Sequence, residues 1–409
     1  MTAAAARPSV LLLTGWNFYN IGDISHTPGF LRILERTFPE ARVTVLAATY
    51  PDELASYLRE RFGDITVLPM EFLAGHALSA EMIAAFEGAD AVVLNSGMTL
   101  SFGYYGLDWE KYLHRILAFL YARERGIPYG VWAHSFDRID PPADILYRDV
   151  LGRAEFLYTR DSRSLALLAD RGVRAPRQGF CPDSGFGFDL RDDVGARQFL
   201  AEHGLRAGEF LTYVPRLDIH RFRTDGREQE HARQARELIT RWVQRTDRGV
   251  LIAHETISDV AAAKEMILEQ LDPAIRTRVV YQPEYWLPDR CQSIFAASRL
   301  VISAEMHSVI LGIAAGTPAL HPYFAEAGLK QWMLEDLGVG DWMFDMDEDG
   351  ADRILEKACE ISADNEVARR RAAETARRAR ELQAQRASSL RELAHAHAAV
   401  RLAAADAVL

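Results

Sequence analysis

The sequence is poor in cysteine and in lysine. Its three cysteines, Cys181, Cys291 and Cys359, stand far apart with no CxxC spacing. That excludes a disulfide framework and a zinc finger, and it suits a reducing compartment. Only Lys111, Lys264, Lys330 and Lys357 are lysines, so arginine carries nearly all the positive charge; that bias points to no function. The net charge of −11 speaks against non-specific nucleic-acid binding, which needs a basic face. No segment approaches the roughly 18 apolar residues of a membrane helix. The first residues, Met1 to Ser9, lack the apolar core of a signal peptide. A cytoplasmic location is the expectation. Motifs are missing too. The turn after the first apolar run has neither the GxGxxG fingerprint nor a P-loop, and no serine sits in a GxSxG elbow. No His/Cys/Asp/Glu set has metal-ligand spacing, so neither a tight metal site nor a tightly bound cofactor is expected.

What is present is a long alternation of strands and helices. At 409 residues two domains are the natural division. Apolar runs at 10–13, 42–46, 65–68, 91–94, 129–133 and 156–158 read as strands. Helical patterns fall between and after them, at about 28–37, 52–61, 80–86, 109–125, 143–152 and 162–171. This order predicts a parallel, doubly wound sheet. Residues 180–208 are rich in Gly, Asp and Pro and read as an interdomain linker. A second series follows, with strands at 210–214, 249–253, 278–281, 300–302 and 319–322. Its helices fall at 228–245, 260–271, 289–297 and 308–315. From Asp349 the chain is helical and highly charged; it reads as a solvated amphipathic helix, with packing back across the first domain as the alternative. The expected fold is therefore α/β, with two Rossmann-like doubly wound parallel-sheet domains, 1–190 and 205–348, and a C-terminal helical extension, 349–409.

In such sheets ligands bind at the carboxyl ends of strands, where helix N-termini point. After the first strand, Asn17, Asn20, Gly22 and Asp23 are candidates to contact a substrate; Asp23 would otherwise be a helix N-cap. Asn95, Ser96 and Gly97 end a buried strand and precede Tyr104, Tyr105 and Trp109, which suit a sugar or simply cover the sheet edge. His134 ends the next strand. Arg160 either binds an anion or pairs with Asp183, beside an N-cap at Asp161 or Ser162. Arg216, with His220, Arg221 and Arg223, forms either a phosphate or carboxylate clamp or a solvated loop. Glu305 and His307 follow the apolar strand Leu300-Val301-Ile302. One carboxylate beside one imidazole makes an acid/base pair, unless His307 only caps its helix.

Several of these stretches together resemble the polysaccharide pyruvyl transferase family. The family's asparagine-glycine-aspartate turn looks like Asn20-Ile21-Gly22-Asp23, and its glycine-rich strand end is matched loosely by Asn95-Ser96-Gly97. Arg160-Asp161 with Ser164 matches its arginine-aspartate element, and Pro182-Asp183 a later one in altered order. The ending matches best: Ser303, His307, Ala315-Gly316-Thr317-Pro318, Tyr323 and Lys330. The likeness spans roughly residues 10–340 and implies a GT-B-like fold, with an acceptor domain, then a donor domain, and the active site in the cleft. It implies phosphoenolpyruvate as donor, a sugar-like or small acceptor, His307 as general acid and Arg216 as the donor's anion clamp; a homo-oligomer is left open. The departure is Glu305, where the family has arginine. A carboxylate there repels an anionic donor by several kcal/mol where screening is poor. Either Arg160, Arg221 or Arg223 compensates, or the donor differs. Glu305 would then orient His307 or bind a hydroxyl or amine. Glycosyl or other group transfer and a non-catalytic ligand-binding relative remain the alternatives.

Overall fold

The computed structural model describes residues 7–14, 18–63, 65–70, 77–101, 110–217 and 227–406. The chain forms two compact units. One comprises Met1–Phe18, His26–Gly187 and Arg380–Leu409, the other Tyr19–Ser25 and Phe188–Ala379.

The first unit is built on seven strands: β1 (Ser9–Thr14), β2 (Arg42–Ala47), β3 (Thr66–Pro69), β4 (Ala91–Leu94), β5 (Tyr129–His134), β6 (Phe156–Thr159) and β7 (Arg177–Phe180). They pair in the order β3-β2-β1-β4-β5-β6-β7, and every pair is parallel. The central strands are continuous apolar runs because helices cover both faces; Val10 to Leu13 and Ala91 to Leu94 are buried throughout. Phe86, Ile116, Phe119, Val150 and Leu168 pack against one face. The chain winds outward from β1 to β3 and then restarts at β4, so the switch point lies between β1 and β4, with Asn95 just beyond it.

The second unit repeats the plan with β8 (Phe210–Val214), β9 (Gly249–Ile252), β10 (Val279–Tyr281), β11 (Leu300–Ser303), β12 (Ala319–Tyr323) and β13 (Met343–Asp345). The order is β10-β9-β8-β11-β12-β13, again all parallel. Its switch point lies between β8 and β11, which places the residues after those strands, Arg216 and Glu305, at one sheet end. The helix after β11, Met306–Ala314, is buried along its whole length.

Three expectations are corrected. Residues 180–208, where the first unit gives way to the second between Gly187 and Phe188, are not irregular: a 3-10 turn at Ser184–Gly187 follows β7, and a helix runs over Asp193–Glu202. Only Ala196, Phe199 and Leu200 of that helix are buried, a stripe too thin to stand out among Arg and Asp. The first helix starts not at Pro28 but at Ile21, running to Thr37 with Pro28 inside. Its start is capped by Asn20, whose Oδ1 accepts from the amides of Gly22 (2.7 Å) and Asp23 (3.2 Å), so Asp23 is not the N-cap. The charged C-terminal helix, Asn365–Asp406, is not merely solvated. In the first unit its Ala387, Ala394 and Ala398 are buried, and Gln383 Nε2 donates to the carbonyl of Asp183 at 2.7 Å. Among the described residues no helix is long and apolar enough to cross a membrane.

Candidate functional site

In the second unit, β11 ends in a turn held by Ser303. Its Oγ accepts from the amide of Glu305 (2.9 Å) and donates to that residue's carbonyl (2.8 Å), so the helix opens at Met306 with His307 in its first turn. His307 is 7 % exposed, and its Nδ1 lies 3.1 Å from Glu255 Oε1. The second oxygen of Glu255 accepts from the amide of Ser308 (2.7 Å) and from its hydroxyl (2.8 Å). Glu255, just past β9, is thus the missing cap of this helix, a carboxylate where the helix dipole favours one. Burial alone would raise its pKa; the hydrogen bonds and charge of His307 and Ser308 outweigh burial and hold it below the ordinary range. A carboxylate that only accepts puts the proton of a neutral imidazole on Nδ1. That leaves Nε2 as the nitrogen that exchanges a proton with a substrate.

The Asn20 turn is the other wall. Asn20 forms an antiparallel bridge with Thr256, the amide of Ile21 donates to the Glu255 carbonyl (3.0 Å), and the amide of Ile257 donates to that of Tyr19 (3.0 Å). This brings Gly22 directly against the imidazole: a Cβ there would lie 2.0 Å from His307 Nδ1. Asp23 lies in the first turn of the same helix.

Arg216 follows β8. The next amide, of Leu217, donates to Asp259 Oδ1 (3.1 Å), whose Oδ2 accepts from Thr256 Oγ1 (2.6 Å). The guanidinium pairs with Glu305. Of the two roles expected for Glu305, orienting His307 or binding a hydroxyl or amine, the first belongs to Glu255, which takes the imidazole, while Glu305 faces Arg216. Burial raises Glu305 well above the carboxylate range; Arg216 and Lys330 oppose that shift, while Glu255 and Asp259 add to it. Lys330 is buried beside this group. Tyr323, at the end of β12, is half-buried against Trp332 with ring centres 5.8 Å apart. His321 Nδ1 meets the Ser303 carbonyl at 2.9 Å, and burial lowers its pKa to about 4, so it is neutral at pH 7. Arg221, Arg223 and His220 lie outside the described residues, as do Asn17, Tyr104, Tyr105 and Trp109.

The first unit gathers the remaining candidates around a buried polar network. Asn95 Oδ1 accepts from the amide of Ser96 (2.8 Å) and from Ser184 Oγ (3.1 Å), and the Ser96 and Ser184 hydroxyls lie 2.7 Å apart. Gly97, at φ 145°, bridges to His134. His134 Nε2 accepts from the amide of Leu100 (3.1 Å) and Nδ1 meets the Asn95 carbonyl at 3.3 Å. Both nitrogens are therefore committed to backbone, and burial, reinforced by Arg160, keeps the ring neutral. Arg160 pairs with Asp183 at 2.6 Å and reaches Ser135 Oγ at 2.8 Å. Of its two expected roles, the ion pair with Asp183 is the one observed. Asp161 is the N-cap of the following helix.

Sequence reasoning missed Glu255 and Asp259. A polar residue directly after an apolar strand was the signal for the other candidates, and His254-Glu255 after β9 carries the same signal.

A family profile described as Polysaccharide pyruvyl transferase matches residues 20–321. Among solved structures, the chain is similar to S. aureus MnaA with UDP, at TM-score 0.58 and 12 % identity, covering 89 % of this chain and 90 % of that one. It is similar to Anabaena Alr3699/HepE in complex with UDP-glucose at TM-score 0.57 and 14 % identity, covering 97 % and 99 %. UDP-GlcNAc 2-epimerase from Methanocaldococcus jannaschii is similar at TM-score 0.57 and 13 % identity, covering 87 % and 92 %. At such identities the likeness is one of fold, GT-B-like with two parallel α/β sheets. A search of curated proteins finds no match.

Proposed function

Because the chain belongs to the polysaccharide pyruvyl transferase family and is a transferase, we propose that it moves an enolpyruvate-derived group from phosphoenolpyruvate to a sugar-like acceptor. The observation that carries this reading is the Glu255–His307–Gly22 arrangement. It presents one oriented imidazole at the sheet end where Arg216, a bidentate donor to phosphate or carboxylate, also stands. His307 Nε2 delivers a proton to the methylene carbon of the enol, which makes the adjacent carbon electrophilic. Two acceptor hydroxyls add to that carbon and its bond to the phosphate oxygen breaks. The product is a ketal bearing a methyl and a carboxylate. One hydroxyl proton restores His307 and the other leaves with phosphate. Glu255 stays ionised and supports the imidazolium throughout.

The test is phosphate release from phosphoenolpyruvate in the presence of candidate sugar acceptors. His307→Asn should lower turnover by about 10²- to 10⁴-fold while its circular dichroism spectrum stays that of the folded wild type. Wild-type protein that neither binds nor consumes the donor at millimolar concentration rejects this reading. One observation favours a second. Glu305 stands on Arg216, and its carboxylate would repel phosphoenolpyruvate, with about three negative charges, more than a nucleotide-sugar with about two; that favours glycosyl transfer from a donor of the kind held by the Anabaena structure. Thermal stabilisation by UDP-glucose and not by phosphoenolpyruvate would decide for it.

A further inference from the structure

We propose that Glu305 is a built-in counter-anion, which fills the anion site on Arg216 in the free protein and is displaced, by taking up a proton, when an anionic donor binds. This rests on the reading above that Arg216 receives the donor's phosphate or carboxylate.

The geometry is specific. Arg216 follows β8 and Glu305 follows β11, the two strands at the switch point of the second sheet, where ligands of such sheets sit. Their side chains are 10 % and 2 % exposed and in contact. Around Glu305 stand Arg216 from the loop after β8, Glu255 from the loop after β9, Asp259 from the helix Ser258–Met266, and Lys330 from the 3-10 turn after β12. His307 and His321 belong to the same site, His307 joined to Glu255 and His321 to the Ser303 carbonyl.

The three carboxylates are not equivalent. Glu255 has both oxygens engaged by His307 and Ser308. Asp259 has both engaged by Leu217 and Thr256. Glu305 has only Oε2 engaged, and its buried Oε1 has no hydrogen-bond partner among the described residues. A buried carboxylate held by one oxygen is the one most easily given up.

A phosphate arriving at Arg216 brings close to two negative charges beside a carboxylate in a poorly screened site. Ionised Glu305 repels it. Neutral Glu305 does not, and its O–H donates a hydrogen bond to the ligand. Burial already favours the neutral acid. Donor binding is thereby linked to uptake of one proton, and affinity falls as pH rises.

Calorimetric titration of the full chain with phosphoenolpyruvate, in buffers of different ionisation enthalpy, measures that proton. The window is about pH 7.5 to 9, where the donor's phosphate is fully ionised. Burial raises the Glu305 carboxyl of the free protein to about 8. The expected result is therefore uptake that is a small fraction of a proton at the low end of this window and grows toward one at its top, with the dissociation constant steepening toward tenfold per pH unit. Glu305→Gln should bind more tightly at the upper end and take up none. If that variant does not fold, Glu305→Ala takes its place in the same titration, with the same outcomes. Binding with no uptake overturns the inference and leaves the donor assignment standing. Uptake that persists in Glu305→Gln assigns the proton to His307 or Lys330 and overturns it as well. Failure of both phosphoenolpyruvate and inorganic phosphate to bind either protein rejects the inference and the donor assignment together.

Discussion

Gly22 and His307 are packed so closely that a Cβ on the glycine would stand 2.0 Å from Nδ1 and 2.1 Å from Cγ of the imidazole. The ring is seated against bare backbone on one side and Glu255 on another, and any side chain at 22 removes that seat. Gly22→Ala therefore has to push the ring off Glu255 or shift the helix start at Ile21. Overpacking of this kind costs about 1–3 kcal/mol, and a misplaced acid costs about 10²-fold in turnover. Melting curves and steady-state rates check both; a variant with wild-type kcat would show that catalysis does not use this seat.

Glu255→Gln keeps the shape but removes the charge that supports an imidazolium and caps the helix. Turnover should fall, and stability should fall in a pH-dependent way. The carboxyl of Glu255 is held below its ordinary range by His307 and Ser308. Its contribution is therefore present above the unfolded glutamate value of about 4.3 and is lost as pH falls through the lower folded value. Urea midpoints for both proteins should differ by a constant amount above about pH 5.5 and converge on acidification. A gap that widens toward low pH would contradict the assignment.

The same pair shows where the sequence was legible. Apolar runs such as Val10 to Leu13 and Leu300 to Ile302 announce buried parallel strands, and strand-end polar residues announce the site, so Arg216, Glu305 and His307 could be named. The partnerships could not. Glu255 lies 52 residues from His307 in sequence, and nothing local says which of two carboxylates reaches the ring. That depends on β9 lying two strands from β11, with β8 between. The helix Asp193–Glu202 was hidden for a different reason: three buried side chains among charged ones give too weak a period.

Arg160 and Asp183 form a fully enclosed pair, 1 % and 0 % exposed. Removing one member strands the other charge. Arg160→Met should destabilise the protein by about 3–5 kcal/mol, read as a lowered denaturation midpoint. The double change Arg160→Met with Asp183→Leu should recover part of that loss. If the single variant is as stable as the wild type, the pair is not the buried charge-compensated unit described here.

Asp161 gives the opposite pH signature to Glu255. It caps the helix Ser162–Asp170 by accepting from the amide of Ser164 (2.6 Å), and its other oxygen accepts from Ser135 Oγ (2.6 Å) and Ser164 Oγ (2.8 Å). Burial pushes its pKa up to about 6, against the pull of these hydrogen bonds and of Arg160. The folded protein then holds this proton more tightly than the unfolded chain. Its contribution is complete below the unfolded value of about 3.9 and is lost as pH rises through about 6. A shift of this size corresponds to about 3 kcal/mol. Asp161→Asn cannot titrate, so the stability of the wild type relative to the variant should decline by roughly that amount between about pH 4 and pH 7.5. Chemical denaturation at the two pH values measures it. A difference that does not change with pH would mean that Ser135, Ser164 and Arg160 already keep the carboxylate ionised despite its burial.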